Sequence, residues 1–369
     1  MTSWIDELAP AHVRELDVYQ PGKPVEELER ELGITGALKV ASNENPLGPS
    51  PKAIGALKTA LDGVNLYPDA GGVVLRRALS ARLGVGAERI ILGGGSNELL
   101  YQLVLAFVGD GDEVVSHEAA FLSYRLAAQV AGRRFVAARA TPERSCDVDA
   151  LIACFGPRTR LVLLGTPNNP TGSVVTRAGM QTIIAALPER ALLVIDEAYG
   201  EYAAAWPEID HARGEDLWGD RRVIVLRTFS KIYGLAGLRV GYGVGDAAAI
   251  ELLGRVGRTF NTSTLAQIAA TAALDDDLHV QRSAAHARRA IEQLRAQVRG
   301  PGVIVYPSLA NFALIETGRP SGPLYDALLR RGVIVRPMAA WGLPTCLRVS
   351  VAAEAQMPRV IEALNAVLA

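Results

Sequence analysis

Hydrophobic and polar positions change rhythm three times along this chain. Residues 1 to about 38 are charged and helix-prone, broken at Pro21 and Pro24. VYQPGKPVEELERELG (18–33) turns from extended to helical at the prolines, and Glu26, Glu27 and Glu29 favour a helix start. LKVASNENPLGPSP then runs from a short strand into a turn-rich loop holding Asn43, Glu44 and Asn45. From about 89, short apolar runs alternate with longer amphipathic segments. The runs predict strands at 89–92, 113–116, 134–138, 160–164, 191–195, 222–227 and 239–243. The segments between them predict helices, among them 97–108, 122–131, 176–186 and 246–257. Strands separated by helical crossovers imply a mainly parallel sheet covered on both faces. The strand at 239–243 follows 222–227 too closely for such a crossover and is expected to run antiparallel.

Beyond about 258 the texture changes again. A long helical region, 263–299, carries Arg282, Arg288, Arg289 and Arg295 on its polar side. Strands follow at 302–306, 311–315, 333–336 and 346–350, with a helix near 322–331 and a closing one near 354–368. The fold expected is α/β, with a smaller α+β domain. Its parts are an arm or piece of the small domain at 1–38, a large domain at 39–260 and a small domain at 261–369.

Composition narrows the partners. Hydrophobic residues make up 49% of the chain and charged residues 21%, which supports a sizeable core. A net charge of −1 with no concentrated basic face argues against nucleic acid or an anionic membrane. No run reaches the roughly 18 apolar residues needed to span a bilayer. The start, MTSWIDELAP, carries acids early and lacks the apolar core of a signal peptide. Three cysteines, none at CxxC spacing, fit a reducing cytoplasm better than a disulfide framework. The five histidines form no metal-ligand cluster, so no metal is expected.

The chemistry is expected around TFSKIYGLAGLRVGYG (228–243). Lys231 sits just past a buried strand, where ligands bind in open α/β sheets. A desolvated lysine loses part of its preference for the charged form, and a neutral amine can form a Schiff base with an aldehyde. Arg239, with Thr228 and Ser230, suits a phosphate. A lone lysine among glycines is usually a solvated loop residue; the neighbouring motifs reverse that reading. GGGSNE (93–98) joins a strand to an apolar helix, whose free N–H groups can hold a phosphate, although Ser96 is also a natural cap. PNNPTG (167–172) presents an amide at the sheet edge. DEAYGEY (196–202) ends a buried strand in an acid, which needs a partner or a proton, and a pyridinium nitrogen would be such a partner. Tyr199 follows three residues later. Together these residues specify an aldehyde, a ring nitrogen, a ring hydroxyl and a phosphate, the groups of pyridoxal 5′-phosphate.

NENPLG, YPD, GGGSNE, PNNPTG, DEAYGEY and TFSK…LAGLRVGY occur in the order seen in fold-type-I aminotransferases, which the chain resembles. VYQPGKPVEELERELG and RPMAAWGLP…LRVS narrow the resemblance to the histidinol-phosphate aminotransferase family, over nearly the whole chain. The resemblance implies a fold-type-I architecture and a homodimer with shared active sites. It implies an amine donor and a 2-oxo acid as substrates, with histidinol phosphate and 2-oxoglutarate as the leading pair in histidine biosynthesis. By match, Lys231 corresponds to the Schiff-base lysine, Asp196 to the acid that pairs with the pyridinium, and Asn169 and Tyr199 to partners of the ring hydroxyl. Phe121 corresponds to the stacking aromatic, and Ser96, Asn97, Thr228, Ser230 and Arg239 to the phosphate cup. Tyr67 matches a residue that reaches the neighbouring subunit's phosphate. Arg348 resembles the arginine that holds the substrate's anionic end, and Tyr19 and Asn43 match positions at the same mouth.

The departures from the family pattern fall around the substrate side: Ile232, Ala119, Ala340–Trp341 and Thr259. They leave open a donor that is an aromatic or other amino acid. A lyase or decarboxylase with the same cofactor is a second alternative. A cofactor-binding regulator fused to a DNA-binding domain is a third, for which no basic helix-turn-helix signal is present.

Overall fold

The computed structural model describes residues 4–16 and 22–369. Within them, seven strands form one sheet, in the order Ile90–Gly93, Gly241–Val244, Val223–Thr228, Leu192–Asp196, Thr159–Gly165, Glu113–His117 and Arg134–Ala138. Neighbours are parallel except where Gly241–Val244 pairs with its two flanking strands. The connection from Thr228 holds one short turn, Ala236–Leu238, and no helix that could cross the sheet, so the chain turns straight back.

The apolar runs lack a polar side because both faces are covered. Val223 and Val225 enter a cluster with Val162, Leu164 and Met180. Ile224 and Leu226 enter another with Leu99, Leu103 and Leu161. Each such side chain contributes about 1.5–3 kcal/mol relative to an exposed one. Helices cover these faces at Ser96–Phe107, Leu122–Val130, Arg177–Ala186 and Ala247–Val256, within a residue or two of expectation.

Two expected elements are divided. The region 263–299 is two helices, Thr264–Leu274 and Asp277–Gln297, because Asp276 leaves the helical path and its carboxylate accepts from the N–H of His279 as a new cap. The first of the pair packs on Pro51–Ala60 and Val73–Leu83. The run 333–336 serves two sheets. Val333–Ile334 pairs in parallel with Leu38–Lys39, whereas Arg336–Pro337 pairs antiparallel with Cys346–Ser350. The latter belong to a four-stranded antiparallel sheet completed by Phe312–Glu316 and Ile304–Val305. Among the described residues, no helix is long and apolar enough to cross a membrane.

Register sets the site. Gly241 is the partner of both Gly93 and Thr228, and Asp196 is the partner of both Gly165 and Leu226. The ends of these strands therefore lie side by side, and the four-stranded sheet faces them across a cavity.

Candidate active site

Lys231 lies in the turn after Val223–Thr228. Phe229 and Ile232 on either side are fully buried and pin that turn to the core, which leaves the lysine at the cavity wall. Its Nζ donates to the carbonyl of Ser42 at 3.1 Å and lies 5.6 Å from the centre of the Tyr199 ring. Burial, reinforced by the positive charges of Arg348 and Arg239, pulls its pKa down from 10.5 to about 8. Glu44 and Asp196 pull the other way.

Asp196 closes the strand Leu192–Asp196 and is almost wholly buried. One carboxylate oxygen accepts from the N–H of Ala198 and the other from the hydroxyl of Tyr124, both at 3.1 Å. Burial still outweighs these bonds and raises its pKa from 3.8 to about 6. A carboxylate held this way is suited to a cationic partner, as a protonated ring nitrogen would be.

The cup forms where Gly93, Thr228 and Gly241 meet. Ser96 and Asn97 open the helix Ser96–Phe107. Arg239 donates to the Ser230 hydroxyl at 3.2 Å and to the Gly94 carbonyl at 2.9 Å. Thr228 Oγ1 accepts from the N–H of Ser230 at 3.2 Å. A Cβ on Gly95 would lie 2.6 Å from the Arg239 guanidinium, and φ there is +85°, so glycine is required for this approach. Asn97 Oδ1 is buried and has no hydrogen-bond partner among the described residues. Two hydroxyls, a guanidinium and a helix start converge on one point, a donor set that fits a phosphate.

These groups line one cavity of about 230 Å³, together with Phe121, Asn169, Tyr199, Asn43 and Arg348. Tyr199 caps the short helix Gly200–Ala203, its hydroxyl accepts from Asn43 Nδ2 at 2.9 Å, and its ring sits edge-on to Phe312. Arg348 donates to Asn169 Oδ1 at 2.7 Å and to the Ala41 carbonyl at 2.6 Å. The lysine, the buried acid, the donor set around Arg239 and the guanidinium of Arg348 thus share one enclosure, whose residues fit a phosphorylated pyridine aldehyde.

The profile of the family described as "Aminotransferase class I and II" matches residues 35–364. The chain belongs to that family. This aminotransferase is 44% identical over 366 residues to a histidinol-phosphate aminotransferase of Anaeromyxobacter sp. (strain Fw109-5), covering 98% of this chain and 99% of that protein. It is likewise 44% identical to histidinol-phosphate aminotransferase 1 of Thiobacillus denitrificans, covering 98% and 94%. Among solved structures, it is similar to the histidinol-phosphate aminotransferase of Sinorhizobium meliloti in complex with pyridoxal-5′-phosphate. The TM-score is 0.85 at 30% identity, over 97% of this chain and 96% of that one.

Two expected site residues of the aminotransferase stand apart. Tyr67 is 83% exposed, stacks on Phe260 with ring centres 4.7 Å apart, and does not line the cavity. Tyr19 lies outside the described residues.

Sequence reasoning passed over other lining residues. Tyr124 is one turn beyond Phe121, and the FLSY spacing was its available signal. Arg336 lines the cavity and is the direct cross-strand partner of Arg348, a juxtaposition no local pattern announces. Its guanidinium also lies 5.3 Å from the centre of the Trp341 ring. Trp341 and Ala119, two departures from the family pattern, fall in one buried cluster beside the cavity.

Proposed function

We propose that this aminotransferase uses pyridoxal 5′-phosphate to move an amino group between histidinol phosphate and 2-oxoglutarate. The observation that carries the substrate assignment is the pair Arg336 and Arg348. Like charges directly opposite on an antiparallel pair destabilise the sheet. Placing them on the cavity wall suits a donor that brings two negative charges, as a phosphate monoester does. The relatives named histidinol-phosphate aminotransferase support the same reading.

When bound, the cofactor supplies an aldehyde that condenses with amines and a ring that takes up an electron pair from the substrate's Cα. Lys231 Nζ, its pKa lowered to about 8 in the cofactor-free protein, would take the proton from the substrate's Cα and return it to the former aldehyde carbon, across the intervening nitrogen. Asp196 would stabilise a proton on the ring nitrogen, and Tyr124 and the Ala198 N–H keep its carboxylate aimed. Asn169 and Tyr199 would hold the ring through its hydroxyl, and Phe121 would supply an aromatic surface for it. Ser96, Asn97, Thr228, Ser230 and Arg239 hold the phosphate. Asn43, Tyr19 and Arg348 receive the substrate.

The enzyme acts as a cytoplasmic homodimer with shared sites. The exposed Tyr67–Phe260 stack is the surface that supports this, with Tyr67 reaching the partner's phosphate cup. Mixing Lys231→Ala and Tyr67→Phe subunits is expected to restore part of the activity, since one site of each heterodimer is then unaltered. A fully active monomer in sedimentation contradicts the shared site. Competition between histidinol phosphate and phenylalanine tests the substrate. A higher kcat/KM for phenylalanine overturns histidinol phosphate and leaves the transamination.

A further inference from the structure

The segment from Ala41 to Ser50 touches the lysine from two directions. At its start, two successive carbonyls are claimed by the two cavity cations: Ala41 O accepts from Arg348 at 2.6 Å, and Ser42 O accepts from Lys231 at 3.1 Å. Further on, Asn45 Nδ2 donates to the carbonyl of Ile232, the residue after Lys231, at 2.7 Å, and to Ser283 Oγ at 2.9 Å. The His279 ring nitrogen lies 3.4 Å from the same amide. Ser50 N–H donates to the carbonyl of Tyr233 at 3.0 Å. Gly234 presses so close that a Cβ there would lie 2.2 Å from Gly48 O, with φ at +70°. The two carbonyls that follow the lysine are therefore both bonded to this segment, and the next residue is packed against it.

Both ends of the Asn45 amide are engaged. Its Oδ1 accepts from Leu47 N–H at 3.0 Å, which fixes the amide plane, and the residue is nine-tenths buried. The Ile232 side chain is wholly buried in the main core, so the turn is held by its side chain below and by its carbonyl above.

We propose that Asn45 is a positioning residue for Lys231: by gripping the Ile232 carbonyl it holds the lysine turn so that Nζ points into the cavity. This rests on Lys231 being the reacting amine, as in the function proposed above. A looser turn lets the ammonium swing toward solvent and regain hydration, and a displacement of about 1 Å costs on the order of a hundredfold in rate.

The test compares Asn45→Ala, which removes the bond to Ile232, with Ser283→Ala, which leaves that bond and removes the amide's contact with Ser283 Oγ. In cofactor-free protein, methylation of Lys231 by formaldehyde and cyanoborohydride is followed by peptide mass across pH 6–10. In Asn45→Ala the labelling midpoint is expected to move up toward that of free lysine, slowing labelling at pH 8 by roughly fivefold for a one-unit rise. Ser283→Ala should stay within about twofold of wild type. In the loaded enzyme, Asn45→Ala should lose about ten- to a hundredfold in kcat with the donor KM nearly constant. An unmoved midpoint overturns the proposal, and so does an equal shift in both variants, which would mean general loosening. If Asn45→Ala does not fold, Asn45→Ser is read by the same criteria. Lys231→Ala separates the two readings. An active Lys231→Ala enzyme sinks the proposed function, whereas an inactive one with an unmoved Asn45→Ala midpoint sinks only the role of Asn45.

Discussion

On one side of the cavity, Lys231, Asp196 and the cup around Arg239 stand at the ends of strands in a seven-stranded, mainly parallel sheet. On the other, Arg336 and Arg348 stand opposite each other in a four-stranded antiparallel sheet. The first wall works through desolvation. It raises the pKa of an acid and lowers that of an amine, so each charged form is costly until a ligand arrives. The second wall presents two guanidinium groups from adjoining strands, which suit an anionic ligand. Desolvation prepares reactivity, whereas a like-charge pair prepares recognition. The two walls should therefore fail differently when altered.

The largest effect is expected at the first wall. Lys231→Ala should retain its circular dichroism spectrum and lose turnover by about three orders of magnitude or more, because the amine proposed to react is gone. Near-normal transamination by the purified variant would remove Lys231 from its role. Asp196→Asn should still bind cofactor and slow single-turnover chemistry by roughly a hundredfold, since an amide cannot hold a cationic ring nitrogen as a carboxylate does. An unchanged rate separates Asp196 from the ring.

At the second wall, Arg336→Gln should cost histidinol phosphate about ten- to a hundredfold in kcat/KM, the worth of one charge-assisted hydrogen bond. Histidinol without its phosphate should lose far less. Equal losses for both donors would show that Arg336 does not read the phosphate.

The smallest effect concerns stability and again separates the walls. In cofactor-free protein the folded Lys231 titrates near 8 instead of 10.5, so its charge opposes folding at low pH and the penalty disappears as pH rises from about 8 to 10.5. For Asp196, raised to about 6 from 3.8, stability falls as pH rises between those values. Lys231→Met should thus melt at a higher temperature than wild type at pH 7, with the gap closing toward about pH 10. Its upper limit is about 3 kcal/mol, reduced because Lys231 is only partly buried and borders an accessible cavity. A gap independent of pH would place its cause elsewhere than the ammonium.

The two walls also differed in how well they could be read from the chain. Strand ends are marked locally, by an apolar run that stops at a glycine, a hydroxyl or a charge. Arg134–Ala138 and Cys346–Ser350 fall where the pattern predicts, and the antiparallel return is present at Gly241–Val244, starting two residues later than expected. Lys231, Asp196 and Arg239 could be found because each sits beside such a mark. Arg336 could not, because its meaning lies in facing Arg348 across a register that only the folded sheet defines. Tyr124 was hidden for a similar reason, since its hydroxyl meets Asp196 from 72 residues away. The break at Asp276 was legible in principle as three successive acids, Asp275 to Asp277, interrupting a helical run, but the surrounding helical rhythm masked it.

The strand Gly241–Val244 runs backward between Ile90–Gly93 and Val223–Thr228, and this bears on how the chain acquires its cofactor. The Gly94 carbonyl and the Arg239 guanidinium that bound the cup are 145 residues apart. Contacts of such long sequence separation form slowly, because loop closure must precede them. A nascent chain that has not yet supplied Arg239 lacks an essential part of the cup, however much of the sheet has formed. Cofactor capture is thus a late event in folding, and once it occurs it stabilises by mass action the one arrangement in which the strand has closed between its neighbours.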